Sequence, residues 1–300
     1  MYLKRLNPFV IKPYLTLYNL TMKSIRPYIS ILMAFRGKVV LVTGASSGIG
    51  AATAKLFAKL GASLALTGRN LSNLEKVAAE CKKVGEEVPF LFKADLNNET
   101  ETKNLLESVL THFKHLDVLV NNAGILEGGT IENTSLEQYD RIFTTNVRSV
   151  YHLTMLAVPH LITSKGSIVN VSSVNGLRSY AGVLAYNMSK SALDQFTRCV
   201  ALELAPKGVR VNSVNPGVII TEIHKRGGMD DAAYAKFLER SKETHPLGRP
   251  GSSEEVAKAI IFLANCLNVD IQLKINSVKI VLKKNRNFCF MVRSQAFSSC

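Results

Sequence analysis

The chain has 300 residues, 47% of them hydrophobic, enough for one large core or two small ones. Its net charge of +14 suggests a nucleic-acid partner until the charge is located: residues 1–36 carry +6, residues 265–300 carry +5, and the middle only +3. The middle interleaves acids with bases and shows no aromatic-basic pattern, so nucleic acid is excluded as a partner.

Residues 1–32 are basic, hydroxyl-bearing and free of acid, the composition of a mitochondrial targeting segment. Pro8, Pro13 and Pro27 work against the long amphipathic helix such a segment needs. The competing expectation is a disordered or spurious extension with Met33 as the true start, which leaves a cytoplasmic protein. From Gly37 to Ala264, short apolar runs alternate with longer helical ones. "KVVLVT" (38–43) reads as a buried strand, followed by a helix from Gly48 to Leu60. "SLALTG" (63–68), a helix from Ser72 to Val84, "VPFLFKA" (88–94), a helix near 99–113 and "LDVLVNN" (116–122) continue the pattern. One long helix is expected from Ser135 to Leu161, then "GSIVNVSS" (166–173), a helix near 185–205 and "VRVNSVN" (209–215). The last is a helix from Ser252 to Ala264, capped by Ser252 or Ser253 with Glu255 close behind. This alternation predicts an α/β fold with an open, doubly wound parallel sheet covered on both faces, one domain over 33–264.

Cys81, Cys199, Cys266, Cys289 and Cys300 are widely spaced and the six histidines form no cluster, so no metal site and a reducing compartment are expected. No run of apolar residues approaches the ~18 needed for a transmembrane span.

The first strand-to-helix turn reads "TGASSGIG", Thr43 to Gly50. Gly44, Gly48 and Gly50 let backbone approach a pyrophosphate seated at the positive end of the following helix, so the turn is read as a dinucleotide loop. Further on, "AYNMSK" sets Tyr186 and Lys190 one helical turn apart on one face. A lone pair of this kind is ordinarily a solvated edge. Here T-G-x-x-x-G-I-G, "NNAG" (121–124) and Tyr-x-x-x-Lys follow in order, and together they resemble the short-chain dehydrogenase/reductase family, nearest its 3-oxoacyl-carrier-protein reductase branch. The resemblance covers about Ala34 to Ala264 and implies a Rossmann-type sheet with a nicotinamide cofactor.

That membership implies roles residue by residue. Tyr186 is the proton donor to a carbonyl or the acceptor from an alcohol, and Ser173 hydrogen-bonds the substrate oxygen. Lys190 holds the nicotinamide ribose and lowers the Tyr186 pKa, and Asn146 anchors a water leading from Lys190 to solvent. Ser172 competes with Ser173, but strand alternation turns it to the other face. The bottom-up chemistry agrees: a phenol with pKa near ~10 is a poor base at neutral pH, and a neighbouring ammonium favours its charged form. Cofactor contacts are expected from Thr43, Gly44, Ser46, Ser47, Gly48, Ile49 and Gly50. Asp95 and Leu96 resemble the residues beside the adenine, and Asn122, Ala123 and Gly124 those supporting the adenosine side. "NPGVIIT" places Pro216, Gly217, Ile219 and Thr221 near the nicotinamide carboxamide. The second strand ends in "ALTGRN", with no acid for a ribose 2′-hydroxyl and with Arg69 in reach of a 2′-phosphate, so NADP(H) is read over NAD(H).

Substrate choice is assigned to residues 222–245, with Met229, Tyr234 and Phe237 as apolar contacts, and nothing there names a substrate. "HPLGRPGSSEEVA" (245–257) is assigned structure only. After "AIIFLAN" the family's Thr-Gly turn, seventh strand and Asp-Gly-Gly are missing. "SVKIVLK" (277–283) alternates as a half-buried edge strand would and is the available replacement. A family-type homodimer or homotetramer is expected, placed in doubt by this tail. The function read is an NADP(H)-dependent oxidoreductase of ketones or secondary alcohols. The alternative is a cofactor-binding but inactive or poorly folded variant lacking its last strand. An epimerase or dehydratase needs a larger substrate domain than 222–264 allows.

Overall fold

Val39–Thr43 (β1), Val118–Asn121 (β4), Ser167–Val171 (β5) and Arg210–Val214 (β6) are buried at every position, which only a sheet covered on both faces allows. The computed structural model describes residues 34–245 and 247–265, together with short backbone segments at 278–279 and 291–292. Ser63–Gly68 (β2) and Phe90–Lys93 (β3) complete six parallel strands in the order β3-β2-β1-β4-β5-β6. The order reverses beside β1, between β2 and β4, and that reversal opens a crevice at the carboxyl ends of the strands.

Alternation in β1 divides the core. Val40 and Val42 face one layer with Leu66 of β2 and with Phe57, Leu74, Ile260 and Leu263, on helices Gly48–Lys59 (α1), Leu71–Val84 (α2) and the last helix. Val39 and Leu41 face the other, with Leu105, Val109, Leu153, Leu161 and Leu204. Those come from Glu99–Phe113 (α3), Ser149–Ser164 (α5) and Leu184–Leu204 (α6). Asn70, Asn98 and Ser135 cap their helices through side-chain oxygens.

The long helix expected from Ser135 to Leu161 is interrupted. Leu136–Phe143 (α4) passes through a π-helical turn, Thr144–Arg148, into α5. The wider turn contains Asn146, whose side chain is bound to the backbone of Ile125 at both its oxygen and its nitrogen. Beyond β6 lie Ile223–Arg226 (α7), Asp231–Thr244 (α8) and Ser253–Ala264 (α9), the last closed by a capping box between Ser252 and Glu255.

The tail reaches the sheet where the alternating segment was expected to. Val278–Lys279 (β7) runs parallel to β6, with Val278 opposite Val214, and Met291–Val292 (β8) pairs antiparallel with β7. The expectations for residues 1–32 and the rest of 266–300 lie outside the described residues.

Arg210 ties the end of the last helix to the sheet: its guanidinium, buried on β6, donates to the carbonyls of Leu263 at 2.5 Å and Ala264 at 2.8 Å. These are two of the free carbonyls of a helix C-terminus, met by a cation. Arg210→Met is expected to cost about 2–4 kcal/mol, since each charge-assisted bond is worth about 1.5–3 kcal/mol. A lowered urea midpoint with an unchanged slope checks it.

Candidate active site

The turn after β1 is shaped for close approach. Gly44 and Gly48 adopt φ of +60° and +54°, the left-handed region that favours glycine. A Cβ on Gly44 would lie 2.9 Å from the Ala123 Cα, and one on Gly50 would collide with the Gly44 carbonyl and the Asn122 amide. Thr43 Oγ accepts the N–H groups of Asn122 and Ala123 at 2.9 and 3.0 Å, and Asn122 Nδ2 donates to the carbonyls of Thr43 and Gly44. Ser46 faces Gly68 at the end of β2, and Ser47 is the N-cap of α1, whose first turn carries no acid. A backbone cradle at a helix N-terminus without competing carboxylates fits the diphosphate of a dinucleotide.

Four expected residues meet at the adjoining strand ends. Asn146 accepts from the Ile125 N–H at 2.8 Å and donates to the Ile125 carbonyl and Ser189 Oγ at 2.9 and 3.1 Å. Gly124 leaves this corner open: a Cβ there would stand 3.1 Å from Asn146 Oδ1 and 3.6 Å from Lys190 Nζ. Ser173 follows β5 and caps the short 3-10 turn Val174–Gly176, its hydroxyl accepting the Asn175 N–H and donating to Asn175 Oδ1 at 3.1 Å. Ser172 instead donates to the Lys190 carbonyl inside α6. Lys190 Nζ donates to the Val171 carbonyl at 3.0 Å and lies 5.7 Å from the Tyr186 ring centre.

The electrostatics differ from the expectation. Burial pushes the Tyr186 phenol up to about 12, and the opposing influence is the Ser173 hydrogen bond rather than Lys190. Burial also brings the Lys190 ammonium down to about 8, partly countered by Asp194. The reason is enclosure: both groups are buried, and the ammonium is turned onto a backbone carbonyl.

Asp194, one turn beyond Lys190, was missed by the sequence reading. Its buried carboxylate accepts twice from Asn215 Nδ2, at 3.0 and 2.9 Å, and burial holds its pKa above the usual carboxylate range. The same Asn215 nitrogen donates to the Ser173 carbonyl at 3.0 Å, joining the charged pair to the segment that carries Ser173. The signal was its four-residue spacing from Lys190.

The remaining candidates rim the same crevice. Arg69 is exposed at the end of β2, and Asp95 and Leu96 follow β3, Asp95 accepting the Asn97 N–H. Pro216 accepts from the Val174 N–H, Ile219 bridges to Gly251, and Thr221 is held through its backbone by the Tyr234 hydroxyl. His245, given only a structural part, contacts this loop directly: its Nε2 accepts the Val218 N–H at 3.0 Å, in space left by Gly217. Burial, with Arg249 nearby, lowers its pKa and favours the neutral ring this bond requires. Tyr234 stacks with Phe237, and the His224 ring meets both at a tilt, within the segment expected to choose the substrate. Among the described residues no group of three or more His, Cys, Asp or Glu is placed to hold a metal, and no helix is long and apolar enough to cross a membrane.

A doubly wound sheet with a glycine-rich first turn and a Ser–Tyr–Lys corner at its carboxyl edge defines a dinucleotide-dependent class of oxidoreductase. Residues 38–231 match the short chain dehydrogenase family model, and the protein belongs to the short-chain dehydrogenase/reductase family. It is 37% identical over 239 residues to a 3-oxoacyl-acyl-carrier-protein reductase of Thermotoga maritima, covering 78% of this chain and 92% of that one. It is 40% identical to a cyclopentanol dehydrogenase of a Comamonas species, covering 76% and 90%. Among solved structures it resembles a short-chain dehydrogenase/reductase of unknown function from Caenorhabditis elegans, with a TM-score of 0.75 and 37% identity over 81% of this chain and 93% of that one.

The buried ammonium gives a stability test. With Lys190 at about 8 against 10.5 for free lysine, the folded protein binds fewer protons than the unfolded chain between those values. Stability therefore rises with pH across that window. Below it the buried charge costs about 3 kcal/mol with the attraction of Asp194 already included, offset by about 1 kcal/mol for the bond to Val171. Lys190→Met is expected to stabilise the protein by about 1–2 kcal/mol at neutral pH, an advantage that fades as pH rises through the window. Thermal melts at pH ~7 and ~10.5 measure it.

Proposed function

We propose that the protein is an NADP(H)-dependent oxidoreductase that interconverts a ketone and a secondary alcohol, with Tyr186 as general acid and base. The observation that carries this reading is the convergence of Ser173, Tyr186 and Lys190 at the carboxyl end of β5, with the Lys190 ammonium 5.7 Å from the Tyr186 ring centre and bonded to the Val171 carbonyl. The bound nicotinamide supplies or accepts the hydride. Ser173 orients the substrate oxygen toward the phenol. Tyr186 is protonated at neutral pH, since burial holds it at about 12, so it is ready to donate to a carbonyl. Lys190 keeps its charge at that pH, being held at about 8. It also holds the nicotinamide ribose. Asn146, fixed to Ile125 and Ser189, anchors the water through which Lys190 exchanges protons with solvent. In the oxidative direction Tyr186 must first lose its proton, so alcohol oxidation is favoured by higher pH.

The names of the relatives, an oxoacyl reductase and a cyclopentanol dehydrogenase, support the substrate class. Arg69, exposed at the end of β2 where NAD-preferring folds place an acid, supports NADP(H). Exposed Tyr151 and Met155 on α5, with Met188 and Leu202 on α6, support a homo-oligomer. One feature favours the second reading, a cofactor-binding but inactive protein: the tail pairs with β6 through a single register position, Val214 with Val278. A panel of carbonyl substrates with NADPH, followed by nicotinamide absorbance, separates the two.

Tyr186→Phe is expected to abolish turnover while cofactor binds with near wild-type affinity. Substantial residual activity would assign the proton to another donor. For cofactor choice, Arg69→Ala is expected to weaken NADPH binding at least about tenfold and leave NADH nearly unchanged. Equal loss of both would remove Arg69 from the 2′-phosphate.

A further inference from the structure

The segment after β6 reaches back across the crevice to the glycine-rich turn. Arg226, at the end of α7, donates from Nη2 to Ser47 Oγ at 3.1 Å, a contact between residues 179 positions apart. Thr221 leads into the same segment, and its methyl carbon lies 3.2 Å from where a Cβ on Gly48 would stand. The Tyr234 hydroxyl fixes the Thr221 backbone from α8. Gly227 closes the other end, since a Cβ there would collide with the Leu126 carbonyl. The segment therefore touches the loops after both β1 and β4.

The charges on this cover are unequal. Lys225 pairs with Asp231 at 2.6 Å and lies over the Tyr234 ring. Arg226 is exposed and donates to two neutral oxygens, Ser47 Oγ and, at 3.4 Å, the Glu222 carbonyl. Ser47, although the N-cap of α1, makes no side-chain bond to that helix's free N–H groups, and its hydroxyl receives the guanidinium instead. Arg226 thus holds five donors in a rigid fork beside a helix N-terminus that has no acid in its first turn.

We propose that Arg226 is a ligand of the cofactor's diphosphate, held by α7 across the crevice from the glycine-rich turn. The proposal rests on the nicotinamide-dinucleotide reading above and adds a residue outside the motifs that suggested it. Arg69 and Arg226 divide the phosphates: Arg69 answers the 2′-phosphate, which NADH lacks, and Arg226 the diphosphate, which both cofactors carry.

The test is a titration of NADPH and of NADH, by nicotinamide fluorescence, into wild type, Arg226→Ala and Arg226→Lys. Arg226→Ala is expected to weaken both cofactors by the same factor, about tenfold, the lower end for a charge-assisted bond at an exposed site. Arg226→Lys should recover part of the loss, as a point charge without the fork. An unchanged melting temperature of Arg226→Ala without cofactor shows that the loss is not one of folding. Unaltered affinity for both cofactors overturns the proposal, as does a loss confined to NADPH. Wild type that binds neither cofactor removes the dinucleotide reading itself, and this inference with it.

Discussion

Asn122 donates its side-chain amide to the carbonyls of Thr43 and Gly44, and the Thr43 hydroxyl accepts the N–H groups of Asn122 and Ala123 in return. These bonds join the carboxyl ends of β1 and β4 at the point where the strand order reverses. A parallel sheet opens its crevice there, and the junction sets how wide that crevice is. It also explains the glycines. Backbone from β4 runs within van der Waals distance of Gly44, and the Asn122 amide occupies the space a Cβ on Gly50 would need. Past Gly124 the chain reaches Ile125, which clamps Asn146, and Asn146 in turn receives α6 through Ser189. The cofactor cradle and the Tyr186–Lys190 corner are thus successive links of one hydrogen-bonded chain.

The corner is maintained against a desolvation cost. Lys190 is buried with its charge, and its compensation comes from the Val171 carbonyl and from Asp194 one helical turn away. Asp194 is buried as well, and Asn215 and Ser172 satisfy its carboxylate. Replacing a buried charged pair with apolar side chains is often neutral or stabilising. Nothing in the packing of α6 requires these charges; the chemistry proposed for Tyr186 does. The result is a site less stable than its surroundings would allow, the usual relation between a working active site and its scaffold.

Much of this was legible in the sequence because the signals were local and physical. Fully apolar strands such as "VVLVT" admit only a covered parallel sheet, and the start of the last helix was marked by Ser252 with Glu255. The motif residues were placed together because motif order and strand alternation constrain position. What was not legible depended on contacts distant in sequence. The π turn at Asn146 arises from bonds to Ile125, 21 residues back. His245 reads as one residue of a polar connection until Gly217 is found beneath its ring. The high pKa of Tyr186 follows from burial, which spacing from Lys190 does not report. Arg226 lay in a mixed polar stretch and acquires meaning only through Ser47 on the far side of the fold.

The tail bears on function through the question of what closes the core. Val256, Ala259, Ile260 and Leu263 of α9 pack with Phe57, Val169 and Val214, all within the described residues. The last carbonyls of α9 are taken by Arg210 and by Ser167 Oγ before the chain moves on. Helix α9 therefore docks by its own apolar face and by bonds to β5 and β6. What remains for the tail is the edge of β6, whose unpaired backbone would otherwise invite association with another chain. Among the described residues, Val278 pairs with Val214 and β7 with β8, so the tail covers that edge at one register position. The crevice lies on the other side of the sheet's centre, at the ends of β1 and β4. A tail that differs from the family's is thus set where it bears first on the edge and on assembly, while Ser173, Tyr186 and Lys190 are held by contacts that do not involve it.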